Sequence, residues 1–167
     1  MKQKGQGIIE FALIVPMLIA VGVAVVYVGI MFMDYTQYSN AARDAARDIS
    51  VQTEVWNTDE TSTTANELRQ NIVNAINAGS GSEYETVVSR YAHPFSDIFK
   101  AKWKAQFYYL DSSTKVLKTT DQATKADTVE VSIELTTADG VEKGAYLNNW
   151  FDKLFQLPAI HYRMVLE

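Results

Sequence analysis

Apolar residues run almost unbroken from Ile8 to Met33, and Glu10 is the one charged residue among them. As an α-helix this segment would extend roughly 39 Å, which exceeds the roughly 30 Å of a membrane's hydrocarbon core. A charged group inside such a helix costs free energy and normally needs a partner. The pattern therefore predicts a membrane-spanning helix with an unusual carboxylate near its start.

The helical pattern continues beyond Met33 as a stem with one apolar face. Its apolar positions recur every three or four residues, at Tyr35, Tyr38, Ala42, Ala45 and Ile49. The opposite side carries the doublet AARD-AARD, in which Asp44 and Arg47 are three residues apart and placed to interact. We expect the stem to pack on its own domain with this charged side in solvent, and prefer that interpretation to a dedicated contact site.

A second helix is predicted after a polar loop that covers Thr53 to Thr63. Thr64 followed by Glu67 forms a capping box, and Gly79 ends the helix. Its apolar face consists of Leu68, Ile72, Ala75 and Ile76. The next segment, from Glu83 to Phe99, is compatible with a short helix or with a strand, and the pattern leaves both open.

Alternating apolar and polar residues predict strands in the rest of the chain. These cover residues 103–109, 115–119, 128–135 and 160–166, and a turn at Asp111 joins the first two as a hairpin. Asp139 and Gly140 indicate another turn, and apolar residues at helical spacing predict a helix over 145–155 whose aromatic face belongs to the core. We assign the head to the α+β class, with an antiparallel sheet and packed helices.

Composition and charge exclude several classes of function. The chain has 167 residues, a net charge of -5 and no cysteine. The acidic balance argues against a nucleic-acid partner, and without cysteine there is neither a disulfide framework nor a thiolate metal site. His93 and His161 lack metal-ligand spacing, and the scattered aspartates do not follow a calcium-loop pattern. We expect no enzyme, no cofactor and no metal.

The charges that flank the apolar segment indicate its orientation. Two lysines precede it, whereas the first charged residue after it is Asp34. Because positive flanks stay in the cytoplasm, we expect a cytoplasmic amino end and a head outside the membrane.

A cut after Gly5 would provide a partner for Glu10. The new amino group of Gln6 would lie at the same depth as Glu10 of a neighbouring subunit displaced along the helix axis. The two charges would then neutralise each other.

Small residues recur along the predicted membrane helix. Ala12, Pro16, Ala20 and Ala24 are spaced four apart, while Gly22 and Gly29 add a second small strip. Small side chains on one face let helices approach closely in lipid. Because Pro16 lacks an amide hydrogen, we expect it to kink or loosen the helix locally.

The start of the chain resembles the class III signal of type IV prepilins, in which a basic leader ends in glycine and glutamate is the fifth residue after the cut. Here Gly5 ends the leader and Glu10 is the fifth residue beyond it. The run GQGIIEFALIVP, with Pro16 six residues after Glu10, and the later AARDAARDI most resemble TadE-like minor pilins of tight-adherence pili. The resemblance covers the leader, the apolar segment and the stem.

This resemblance implies that prepilin peptidase cleaves between Gly5 and Gln6. It also implies that Glu10 pairs with the freed amine of an adjacent subunit and that Phe11 packs between helices. The implied partners are the peptidase, other pilin subunits, the inner-membrane assembly platform and membrane lipid. The protein would be a single-pass protein of the bacterial inner membrane that reaches a pilus at the cell surface after assembly. Its domains would be a leader (1–5), a membrane helix with stem (6–52) and a head (53–167).

Three departures from the pattern of major pilins favour a minor subunit. Gln6 replaces the usual Phe, Phe11 replaces Tyr, and the head is large for a Flp-type major pilin. Two alternatives remain open. One is a major pilin or secretion pseudopilin, and the other is a single-pass membrane sensor or binding protein in which Glu10 is incidental.

Overall fold

The computed structural model describes residues 3–51, 64–92, 99–137 and 157–167. A long helix precedes two short helices and a four-stranded sheet, so the predicted α+β class is confirmed. The helices are α1 (Gln3–Ser50), α2 (Ala65–Ala78) and α3 (Ser82–Tyr91). The strands are β1 (Phe99–Leu110), β2 (Leu117–Thr120), β3 (Thr128–Thr137) and β4 (Ile160–Val165), with a short 3-10 turn at Ala123–Lys125.

Helix α1 is continuous over 48 residues and passes through Pro16 without ending. Its two halves have different surroundings. Near its start Ile8, Leu13 and Met17 are each about 70% exposed, whereas Met31 is only 5% exposed and Ile49 is fully buried. The apolar segment therefore projects from the head, while the stem forms part of the head's core.

Helix α2 begins and ends as its sequence predicts. The Thr64 backbone N–H donates to the Glu67 carboxylate at 3.0 Å, and the Glu67 N–H donates back to the Thr64 hydroxyl, which completes the capping box. At the other end Gly79 adopts φ 64°, a left-handed conformation that glycine enters without steric cost. The segment left open between helix and strand begins with α3, and β1 starts at Phe99.

The sheet is antiparallel throughout, in the order β2-β1-β3-β4. Side chains alternate across it as predicted, with Val129, Val131 and Ile133 fully buried and Glu134 exposed. The hairpin between β1 and β2 pairs Leu110 with Leu117. The predicted strands over 103–109, 115–119, 128–135 and 160–166 are thus confirmed, with the first extended to residues 99–110.

The core lies between the inner face of the sheet and the helices. The stem packs across β3 and β4, while α2 packs on β1. Four stem alanines at 0–1% exposure make the helix surface smooth where it meets the strands: Ala41, Ala42, Ala45 and Ala46. The hydroxyl groups of Ser39 and Tyr162 are 3.2 Å apart and add a polar link between stem and β4. The stem is therefore an integral part of the head.

Arg69, on α2, connects the end of the stem to Glu167, two residues after β4. Its Nε donates to the Ile49 carbonyl at 2.9 Å, and its Nη2 donates to the carbonyls of Ser50 at 3.0 Å and Glu167 at 2.5 Å. The last carbonyls of a helix lack partners within the helix, so a buried guanidinium satisfies groups that would otherwise be costly to bury. One side chain thus joins three elements of the head.

Several predictions fall on residues outside the described ranges. These are the loop over 53–63, the turn at Asp139 and Gly140, the helix over 145–155, and the histidine at position 93. They stay predictions.

Candidate assembly site on the N-terminal helix

The amino-terminal half of α1 presents apolar side chains on every side. Ile8 is 71% exposed, Leu13 is 72% exposed, and Val26 still reaches 63%. Among the described residues, this is the one helix long and apolar enough to cross a membrane. A surface of this size and character is stable only in lipid or against other apolar helices.

The predicted processing and pairing residues all lie on the first turns of α1. Gly5 and Gln6 are already within the helix, and Glu10 follows Gln6 by four residues, which is a rise of about 6 Å. The side chain of Phe11, next to Glu10, is 69% exposed. The helix therefore places an aromatic side chain and a carboxylate together at one end of the apolar surface.

The small residues predicted to pack helices are open on the surface of α1. Ala12, Ala20 and Pro16 are exposed, and Ala24 is half-buried. A Cβ atom added at Gly22 or Gly29 would meet no atom within 4 Å. The head does not use these positions, so nothing in the described fold requires small side chains there.

The junction between the two halves of α1 contains a feature that the sequence reasoning missed. Asp34 was interpreted only as the first charge beyond the membrane, yet its side chain is fully buried. It shares the buried face of α1 with Met31, Tyr38 and Ala41. The spacing of Asp34 could have indicated this burial. Asp34 precedes Tyr38 by four residues and Ala41 by seven, which are the spacings of residues on the same face of a helix. The head thus begins to cover the helix at or before this carboxylate.

The side of the stem away from the sheet carries the charged residues of the AARD doublet. Arg43, Asp44 and Arg47 are exposed, and Asp48 is half-buried. The predicted interaction between Asp44 and Arg47 is wrong, because neither residue forms an ion pair within 4.0 Å in the part of the chain that the structure describes. Because both side chains are exposed to solvent, an ion pair between them would add little to the stability of the fold.

Helix α3 lies beside this charged side and forms a groove with the stem. The groove has a volume of about 590 Å³ and is lined by Asp44, Arg47, Asp48, Val51, Arg90 and Tyr91. The Tyr91 hydroxyl donates to Asp48 at 2.9 Å. Burial, together with this bond to a carboxylate, raises the pKa of Tyr91 well above its ordinary value. The contribution of α3 was not found from sequence, because that segment fitted either a helix or a strand.

The outer face of the sheet carries a compact polar cluster. Glu130 accepts from the Arg163 guanidinium, whose Cζ lies 4.8 Å from the ring centroid of Tyr108, and His161 Nδ1 is 3.2 Å from the same carboxylate. The described residues contain no group of three or more potential metal ligands. His161 therefore has a side-chain partner on the surface.

The comparisons with known proteins agree with the resemblance found in the sequence. Residues 5–47 match the family model described as TadE-like protein. The match covers most of α1, including most of the stem, and none of α2, α3 or the sheet. No curated protein and no solved structure matches the chain.

The matched segment and the apolar helix coincide. Residues 5–47 are similar to TadE-like proteins, and most of the same segment belongs to the helix that is long and apolar enough to cross a membrane. TadE-like proteins are structural components of pili and associate with other pilus proteins. The suspected relation to TadE-like pilins is confirmed over residues 5–47.

Proposed function

We propose that the chain is the precursor of a minor pilin or pseudopilin of a tight-adherence pilus. Prepilin peptidase removes residues 1–5, and residues 6–52 then act as the membrane helix and stem that enter the pilus. Residues 53–167 form the head outside the inner membrane. The amino-terminal side of the span stays in the cytoplasm before processing, and the protein catalyses no reaction.

The observation that carries this proposal is the exposed apolar half of α1 with Glu10 near its start. Glu10 lies about 6 Å along the axis from Gln6. A neighbouring helix displaced by about that distance brings its freed amine level with the carboxylate, and an ion pair in an apolar environment is much stronger than one in water. Neutralising both charges lets the apolar surfaces pack together without a buried lone charge.

The first test is the processing step. Intact mass and amino-terminal sequencing are applied to protein from its native membrane, with and without the host's prepilin peptidase. We expect a new start at Gln6 that depends on the peptidase. A chain that retains Met1 in peptidase-positive cells would reject the pilin pathway and favour a single-pass sensor with an ordinary anchor.

The second test concerns Glu10. Glu10→Gln keeps the size of the side chain and removes its charge, so insertion becomes easier while the pairing with an amine is lost. We expect processing to persist and incorporation into sheared filaments to fall by at least about tenfold, which corresponds to roughly 1.4 kcal/mol. Glu134→Gln, on the exposed face of β3, is the matched control. Normal incorporation of Glu10→Gln would remove the role assigned to this carboxylate.

The abundance of the protein decides between a minor and a major subunit. Sheared filaments are compared with the remaining membrane by quantitative mass spectrometry. We expect the chain to be a small fraction of filament protein. A filament composed mainly of this chain would make it the major pilin.

A further inference from the structure

The sheet runs beside the stem in a direction that two contacts define. The Glu167 backbone N–H donates to the Ser50 carbonyl at 3.1 Å, and nearer the apolar half of α1 the hydroxyl groups of Ser39 and Tyr162 are 3.2 Å apart. The chain from Tyr162 to Glu167 extends roughly 17 Å as a strand, and the helix from Ser39 to Ser50 rises by a similar distance. Strand β4 therefore runs nearly parallel to the stem, with its start towards the apolar half.

The strand register transfers this scale to β1. Tyr162 pairs with Val131, which pairs with Ala105, so Ala105 lies near the level of Ser39. Because β1 has the same direction as β4, its earlier residues lie closer to the apolar half of α1. Lys102 precedes Ala105 by a distance of roughly 10 Å, which corresponds to about seven residues of helix. Lys102 is therefore level with the end of the apolar segment.

Three lysines lie on the outer face of this end of the sheet. Trp103 and Ala105 are buried in the core, so the residues that alternate with them point away from it. These residues are exposed and form a lysine row: Lys100, Lys102 and Lys104. Within the described ranges Lys102 and Lys104 form no ion pair, and Glu134, opposite Lys102 in the register, offsets one of the three charges. The lysine row thus has a surplus of positive charge.

The burial of α1 shows how close the head comes to the apolar segment. Met31, near the end of that segment, is 5% exposed, and Asp34, directly after it, is fully buried. The head therefore already covers α1 where the apolar segment ends. If α1 spans a bilayer, this end of the sheet lies at the membrane surface.

We propose that the lysine row holds the head on the membrane by contacting the headgroups of anionic phospholipids. Lipid phosphates lie at the level where the apolar segment ends, and a lysine side chain is long and flexible enough to bring its ammonium to them. The attraction decays within roughly 8 Å at physiological ionic strength, so only charges at this level act. The inference rests on the proposed function in one respect, which is that α1 spans the membrane.

Lysines at the opposite end of the sheet provide a matched comparison. Lys115 lies in the hairpin between β1 and β2, and Lys125 lies in the 3-10 turn before β3. Both are exposed. These turns are near the level of Ser50, roughly 25 Å along α1 from the end of the apolar segment. At that distance the attraction to a lipid surface is screened.

The test places one fluorescent label on the outer face of the sheet. Full-length Ser132→Cys, opposite Lys104 in the register, is labelled with nitrobenzoxadiazole on the only thiol of the variant. The protein is reconstituted in phosphatidylcholine vesicles with or without about 30% phosphatidylglycerol, all of which contain a lipid with a quenching spin label on its headgroup. We expect quenching at least about twofold stronger in the anionic vesicles, and this difference should disappear at high salt.

Neutralising the lysine row should remove the difference between the vesicles. Lys102→Gln combined with Lys104→Gln removes two exposed charges, so quenching in anionic vesicles should fall to the neutral level. Lys115→Gln combined with Lys125→Gln removes the same charge from the far end and should change nothing. Urea denaturation in detergent checks that both double variants are as stable as the natural chain. Equal quenching in the two kinds of vesicle, or an equal loss in both double variants, would overturn the proposal.

Amino-terminal sequencing of protein from native membranes separates this inference from the proposed function. Quenching requires neither cleavage nor a pilus, so quenching that depends on the lysine row in a chain that keeps Met1 would reject the pilin pathway and leave the lipid contact. A start at Gln6 with incorporation into filaments, together with equal quenching in both vesicles, would reject the lipid contact alone. A chain that does not float with vesicles would overturn both.

Discussion

The two halves of α1 are one continuous helix with opposite relations to the rest of the molecule. In the first half Ile14 is 56% exposed, although its side chain is as apolar as that of Ile49, which is fully buried in the second half. Alanines are frequent in both halves, but Ala42 and Ala45 of the stem are fully buried in the core, whereas Ala12 and Ala20 of the apolar half are exposed. The same residue types therefore have different physical roles, which depend on what surrounds the helix.

We therefore expect the two halves of α1 to affect different properties: the stem affects the stability of the head, and the apolar half affects insertion and assembly. Substitutions in the stem should change the free energy of unfolding of the head, because the stem contributes to its core. Substitutions in the apolar half should leave that free energy unchanged and alter only insertion or incorporation. Matched substitutions along one helix can therefore test the division directly.

The largest contrast is expected from one isoleucine in each half. Ile49→Ala removes a fully buried side chain and leaves a cavity, so it should lower the free energy of unfolding by about 4 kcal/mol. Ile14→Ala removes an exposed side chain and should change it by less than about 0.5 kcal/mol. Chemical denaturation of the full chain in detergent measures both. Similar losses for the two variants would show that the apolar half also belongs to the folded core.

A pair of arginines gives the next contrast. Arg69→Ala removes the guanidinium donor to the backbone oxygens of Ile49, Ser50 and Glu167, of which Ser50 keeps the bond from the Glu167 N–H, and should cost about 3 kcal/mol. Arg47→Ala removes an exposed side chain that forms no ion pair with any residue in the described ranges, and it should cost less than about 0.5 kcal/mol. The same denaturation assay compares them. If Arg47→Ala proved as destabilising as Arg69→Ala, the exposed charged side of the stem would contribute to folding after all.

The sequence was sufficient for elements whose signals are local. The capping box of Thr64 and Glu67 predicted the start of α2, and the alternation from Thr128 to Leu135 predicted β3, because caps and sheet faces depend on neighbours in the chain. The continuous stem followed from its three- and four-residue spacing. These predictions needed no knowledge of distant contacts.

Features that depend on distant contacts could not be predicted. Arg69 gives no sign in its own segment that it binds carbonyls at the end of α1, since those partners are separated from it by 19, 20 and 98 residues. The groove required α3 to be a helix that places Tyr91 against Asp48, 43 residues away. The amino-terminal processing and pairing site stays a prediction, because the role assigned to Gly5, Gln6 and Glu10 depends on contacts with other proteins.

A smaller effect is expected when an alanine is enlarged in each half. Ala45→Leu adds volume where the stem meets the sheet and should cost about 2 kcal/mol through overpacking. Ala20→Leu adds the same volume on the exposed half and should leave the head's stability unchanged, but should reduce incorporation into filaments if helices pack closely there. Denaturation and filament fractionation of both variants check this. Reduced stability of Ala20→Leu would contradict the division between the halves.

The smallest effect concerns the bond that holds the stem to α3. Tyr91→Phe removes the hydroxyl that donates to Asp48 and should cost about 1 kcal/mol at pH 7. Because the fold raises the pKa of Tyr91, stability from this group is complete below its ordinary pKa of about 10 and decreases as the pH rises above it, since the unfolded chain then releases a proton that the folded chain retains. Urea denaturation between pH 8 and pH 11 should therefore show a steeper loss for the natural chain than for Tyr91→Phe. If the natural chain and Tyr91→Phe lost stability equally over this pH range, Tyr91 would have the same pKa in the folded and the unfolded chain. The stem would then be joined to α3 by apolar packing alone.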